Sequence, residues 1–209
     1  MCNRSIVEIY EKEIRSLFCT RETEKASKIL RKLYLTRYNT LTDMEEKRTL
    51  LYSLAIAEYM NQRKDMANKY IKMWIEEMDR ECKYKNDRSD VYADALTVYC
   101  EINKGSISKE EYKEINRINY EIYKKLNLKT AMYTALYNME VTDRNFNKIL
   151  GILEDLHTMY LPIAKTSEGE KILGLMKQIQ EEMKDICNIV CYSKVEKIIA
   201  NTINLIVGL

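Results

Sequence analysis

Apolar residues recur at spacings of three and four along nearly the whole chain, from Ile6 to Leu205. That period belongs to the α-helix, because residues three and four apart share one face of a 3.6-residue turn. Ile29, Leu30, Leu33 and Tyr34 make one such stripe; Ile172, Leu175, Met176, Ile179 and Met183 make another. The 209 residues hold five Gly and one Pro, too few to punctuate a β-sandwich or an α/β fold of this length. The expected fold is therefore all-α, with about ten helices.

Polar residues mark where those helices begin and end. Thr20 offers an N-cap to the second helix, Thr42-Asp43-Met44-Glu45 has the capping-box pattern, and Ser89 or Asp90 starts the fifth helix. Gly105 suits a helix C-terminus, and Ser108 with Glu111 forms a second capping box. Thr142 and Ser167 are expected to cap the eighth and ninth helices, and a last helix is expected over 193–207. Connections this short make successive helices antiparallel neighbours. No Ser/Gly/Pro-rich linker interrupts them, so 1–209 reads as a single α-helical domain.

Charge and cysteine usage narrow the setting. The formal charge of +2, from 34 Lys and Arg against 32 Asp and Glu, demands neither nucleic acid nor membrane as a partner. Basic clusters such as Arg31-Lys32 and Lys124-Lys125 are interleaved with acids, the pattern of a solvated helix face. The sequence carries neither a signal-peptide pattern nor an apolar run long enough to span a bilayer. The expected compartment is the cytoplasm, with the six cysteines reduced. Cys187 and Cys191, four apart, are expected to share a helix face. A metal site built on them needs two more ligands, and His157 is the single histidine. No metal or other cofactor is expected.

Catalytic signatures are sparse. Phosphate-cradling glycine loops and the HExxH zinc motif do not occur in the sequence. A nucleophile–base arrangement has only His157 to draw on, and Asp155 is too close in sequence to orient it. A non-enzymatic protein is expected, with His157 at a surface or boundary.

Helix pairs recur at roughly 35–40 residues, the period of an α-solenoid. In the clearest unit, Leu51, Leu54, Ala55, Glu58, Ala67, Ile71, Trp74 and Asp79 fall at the spacings of the tetratricopeptide repeat, which this hairpin resembles. It departs from that pattern at Glu58 for the usual Tyr, at Gln62 near the usual Gly, and at Asp79 for the closing Pro. The resemblance implies a right-handed superhelix of antiparallel helix pairs whose concave face binds a peptide or protein segment. In that family the first helix of each pair lines the concave face, here the third, fifth and seventh helices. Their candidate ligand-binding residues are Tyr52, Tyr59, Tyr92, Tyr99, Asn103, Tyr133, Tyr137 and Asn138. Tyr gives large contact area with a hydroxyl at small entropic cost. Asn can both donate to and accept from a peptide backbone. The competing reading is that many of the chain's 16 Tyr are core or boundary residues.

Within the repeat class, the degenerate pairs and the Tyr, Asn and Lys content look most like the receptor part of Firmicute peptide-sensing regulators of the Rap/Rgg and arbitrium type. That resemblance implies a regulatory role in a bacterium or a mobile element. Residues 1–40 form two long helices and not the compact short helices of a DNA reader. The alternative is a phage- or plasmid-type helical inhibitor or adaptor that docks on one host protein through an outer surface. The apolar C-terminal helix, with Ile198, Ile199 and Ile203, is either a buried cap or a homodimer contact.

Overall fold

The computed structural model of the chain describes residues 5–81 and 89–207, with side chains described through 80 and from 89 to 204. Cys2, Cys82 and the last apolar side chains lie outside these residues. The order is α1 (Ile6–Ile9), a π turn (Tyr10–Ile14), α2 (Arg15–Cys19), α3 (Thr23–Arg37), a 3-10 turn (Tyr38–Thr40), α4 (Met44–Met60), α5 (Lys64–Glu81), α6 (Asp90–Ile102), α7 (Lys109–Lys125), α8 (Lys129–Thr142), α9 (Phe146–Tyr160), a second 3-10 turn (Leu161–Ile163), α10 (Ser167–Ile186) and α11 (Ile189–Val207). The π turn joins α1 and α2 into one rod, so the described residues form ten helices and no strand, as the periodicity implies. Among them no helix is long and apolar enough to cross a membrane.

The helices fall into two compact units, Met1–Ile107 and Ser108–Leu209. In the first, α4 is the centre: α1, α3 and α5 all pack on it, and α5 packs on α6. Leu50, Leu51 and Leu54 of α4 are fully buried, together with Ile14, Leu30, Ile71 and Trp74. Ala26, Ala55, Ala57 and Ala67 are also fully buried, and side chains this small let helix backbones approach closely. In the second unit α7 packs on α8, α8 on α9 and α10, and both α9 and α10 on α11. Its core joins Ile149, Leu153, Leu156, Ile172, Met176 and Ile179 to Val195 and Ile199 of α11. Each such side chain contributes about 1.5–3 kcal/mol by leaving water. Val195 and Ile199 thus pack one face of the C-terminal helix into a core. His157 sits half-buried at its edge: Nδ1 lies 2.7 Å from Thr202 Oγ1, which itself donates to the Ile198 carbonyl.

Four turns end their helices the same way. Arg21, Gln62, Asn127 and Arg144 adopt left-handed backbone, with φ between 53° and 62°. At each, the N–H of the left-handed residue and the next N–H bond back to carbonyls of the last helical turn. Gln62 N to Tyr59 O and Arg63 N to Glu58 O are one such pair, both 2.9 Å. This is the Schellman closure that glycine ordinarily supplies. It explains how a chain with five Gly turns so often. Gly105 has φ 88° at the end of α6.

Several helix starts lie one to four residues from their expected positions. Asp43, not Thr42, caps α4 and accepts from Glu45 N and Glu46 N. Thr166, not Ser167, caps α10 through Gly169 N. A Cβ at Gly169 would meet the Ile163 carbonyl oxygen at 2.2 Å, so that close approach requires glycine. Thr20 ends α2 and Thr142 ends α8, each turning its hydroxyl back to a carbonyl of its own helix. Ser108 caps α7 as expected. Cys187 and Cys191 do not share a helix: α10 ends at Ile186, and Asn188 Oδ1 caps α11 through Cys191 N.

Candidate functional site

The rod of α1 and α2 shows how local sequence helps build a cavity of the first unit. Ile6, Ile9 and Ile14 are its buried residues. Ile9 and Ile14 are five apart, a spacing that leaves an α-helical stripe. A π turn closes i to i+5 and brings the two onto one face. Tyr10, next to Ile9, is half-buried. It lines an open cavity of about 480 Å³ walled by the rod, α4, α5 and the start of α6.

The floor is aromatic. Trp74, 1% exposed, lies with its ring centroid 6.1 Å from Tyr52 and 6.3 Å from Tyr92. Thr49 and Ser53 line the α4 wall. Arg48 lies across α4 and α5, its Nε donating to the Met44 carbonyl and Nη1 3.0 Å from Met78 Sδ. Glu11 and Glu45 stand at the solvent edge with Val91. Burial pushes the Tyr52 phenol up, and Asp94 and Tyr10 add to that. Its hydroxyl therefore stays protonated at neutral pH and can donate.

Of the eight sequence-derived candidates, Tyr52 alone lines this cavity. Tyr92 is 3% exposed, with its hydroxyl donating to Asp79 Oδ1 at 2.9 Å, so it locks α6 onto α5 and leaves the ligand set. Tyr137 is 0% exposed and donates to Glu182 Oε2 at 2.7 Å. It too is a core residue and not a ligand contact. Burial first, then the Glu182 carboxylate, pushes its phenol well above the usual range. Tyr59 is half-buried at the end of α4. Tyr99, half-buried, lies beneath Lys72 Nζ, 5.7 Å from the ring centroid. Asn103 Nδ2 donates to Asn68 Oδ1 and Asn138 Nδ2 to Asn116 Oδ1, each at 3.0 Å. These amides tie α6 to α5 and α8 to α7. Tyr133 donates to Asp155 at 3.2 Å. Tyr133, Tyr137 and Asn138 belong to the second unit, the other five candidates to the first.

Every other lining residue was passed over in the sequence, Tyr10, Arg48 and Trp74 among them. Tyr10 and Trp74 occupy core-stripe positions, and nothing in a 3.6-residue period signals the π turn.

Glu58 and Cys187 are other perturbed groups. Glu58, at the position where the repeat pattern has Tyr, is fully buried and accepts from Ser27 Oγ at 2.6 Å, Arg31 Nε at 2.7 Å and Arg63 Nη1 at 3.2 Å. Burial raises its carboxyl, but the bonds from Arg31, Ser27 and Arg63 outweigh that and hold it below the usual range. Burial and then the neighbouring Cys191 push the Cys187 thiol up to about 11, the opposite of an activated nucleophile. Among the described residues no group of three or more His, Cys, Asp and Glu is arranged to hold a metal ion. Comparisons with protein-family models, curated proteins and solved structures return no match to the chain.

Proposed function

We propose that the chain is a non-enzymatic, tetratricopeptide-like binding protein whose first unit takes a peptide or protein segment on the α4 face. The observation that supports this reading is the cavity of about 480 Å³ over Trp74. Its volume is in the range of small-ligand pockets, and an apolar floor with a few polar groups is their usual lining. One large side chain of a bound segment fits against Tyr10, Tyr52 and Trp74. Thr49, Ser53 and Tyr52 then stand beside the neighbouring backbone groups. The π turn at the wall adds support, because such turns concentrate at functional positions. Resemblance to the peptide-sensing regulators supports a cytoplasmic, regulatory setting for this binding.

Pools of synthetic hexapeptides added to the full chain test the reading. A ligand of the native state raises the melting temperature by mass action. The account expects at least one pool to do so. It expects Tyr52→Ala to lose that rise while keeping the helical circular dichroism of the parent. A rise that survives Tyr52→Ala unchanged places the peptide elsewhere.

A further inference from the structure

At the junction of α10 and α11 the second unit exposes an apolar ridge. Ile189 is 89% exposed, Val190 70% and Ile186 39%. A soluble helix corner ordinarily carries polar residues, and three large aliphatics within five positions are unfavourable there unless covered. Beside the ridge lies a separate cavity of about 360 Å³, with Phe146 and Leu150 as its apolar wall. Arg144 and Lys194 stand at its edge, both exposed, and neither forms an ion pair with a described residue. No Asp or Glu is among the described residues that line it. The first turns of α9 and α11 open onto the same cavity, and no side chain caps α9. Their partial positive charge has the sign of the two cations. Three amides, Asn145, Asn147 and Asn188, complete the rim.

We propose that this corner is a docking surface for an acidic, apolar-anchored segment of a partner protein. One aliphatic or aromatic side chain of the segment enters the cavity against Phe146 and Leu150. Its neighbours cover Ile189 and Val190, and its carboxylates meet Arg144 and Lys194. The charge pattern of the cavity selects the partner: two cations and no acid among its lining residues favour a negative segment and disfavour a basic one. The concave cavity and its ring of amides fit a polypeptide better than a flat lipid surface, which leaves the cavity empty. The surface lies wholly in the second unit, so it stands or fails independently of the first unit's cavity.

A display library of random 12-residue peptides, panned on the full chain with the I189E/V190E variant as counter-selection, tests this. Surviving clones are expected to be net acidic around an apolar residue. Synthetic copies are expected to bind I189E/V190E and R144E/K194E about tenfold or more weakly, a loss of about 1.4 kcal/mol, and to weaken with added salt. All four replaced side chains are exposed, so the variants are expected to melt as the parent does. The proposal is overturned if no clone survives, if survivors are not acidic, or if they bind R144E/K194E as tightly as the parent. A dimer in sedimentation that I189E/V190E abolishes assigns the surface to a second copy of the chain. Flotation with phosphatidylglycerol vesicles that the same variant abolishes assigns it to a membrane. Either result overturns the partner-protein reading.

Discussion

Glu58 shows what one side chain does when burial and pairing compete. Its carboxylate is out of solvent, yet two guanidiniums and a hydroxyl hold it charged. Arg31 reaches it from α3 and Arg63 from the start of α5, so a single residue of α4 joins three elements. Glu58→Gln is expected to cost about 2–3 kcal/mol in urea unfolding at pH 7. That is less than for a wholly buried pair, because both arginines remain partly in solvent. The folded carboxyl titrates below its unfolded value of about 4.3. Its contribution is therefore complete above about pH 5 and is lost as pH falls through the folded value. The gap between parent and Glu58→Gln is expected to narrow as pH falls below the unfolded value of about 4.3; equal stabilities at pH 7 contradict the account. The departure at Glu58 was visible in the sequence, but its partners were not, since Ser27 and Arg31 lie about thirty positions away. Tyr92 and Tyr137 carry the same lesson. Side-chain type cannot separate a tyrosine that bonds across a core from one that faces a ligand.

At the scale of elements, helix content was readable because the 3.6-residue stripe depends on many residues at once. Helix ends depend on one or two residues and were less so. Thr20 and Thr142 have good N-cap side chains yet end helices, because a threonine hydroxyl also bonds back to its own helix. Left-handed closures at Arg21 and Gln62 place exposed non-glycine residues where a Cβ is strained. Gln62→Gly and Arg21→Gly are each expected to raise stability by about 0.5–1 kcal/mol, the relief of strain less the added freedom of the unfolded chain. Chemical denaturation measures this directly, and a loss of stability in both variants contradicts the left-handed assignment. The π turn escaped the sequence because Ile9 and Ile14 read as part of one ordinary helical stripe, and apolar spacing alone does not distinguish closure from i to i+5 from closure from i to i+4.

For the whole molecule, the sequence shows an all-helical chain without a linker, and the packing divides the chain into two compact units, Met1–Ile107 and Ser108–Leu209. Each has its own buried residues, the first around α4 and the second between α8, α9, α10 and α11. Fragments 1–107 and 108–209, expressed separately, are expected to be helical and to melt cooperatively, as domains of about a hundred residues do. A non-cooperative melt of either contradicts its independence as a unit. The candidate site was legible only through Tyr52, because the cavity gathers residues from four elements that no single stretch of sequence brings together. Trp74 is the only tryptophan of the chain and forms the cavity floor, so its fluorescence reads occupancy without a label. The most direct measurement is a titration of a melting-active hexapeptide, followed by Trp74 emission, on the parent chain and on Thr49→Phe, which fills the cavity. The account predicts a saturable emission shift in the parent and none in the variant. A peptide that stabilises both proteins equally and leaves Trp74 emission unchanged contradicts it.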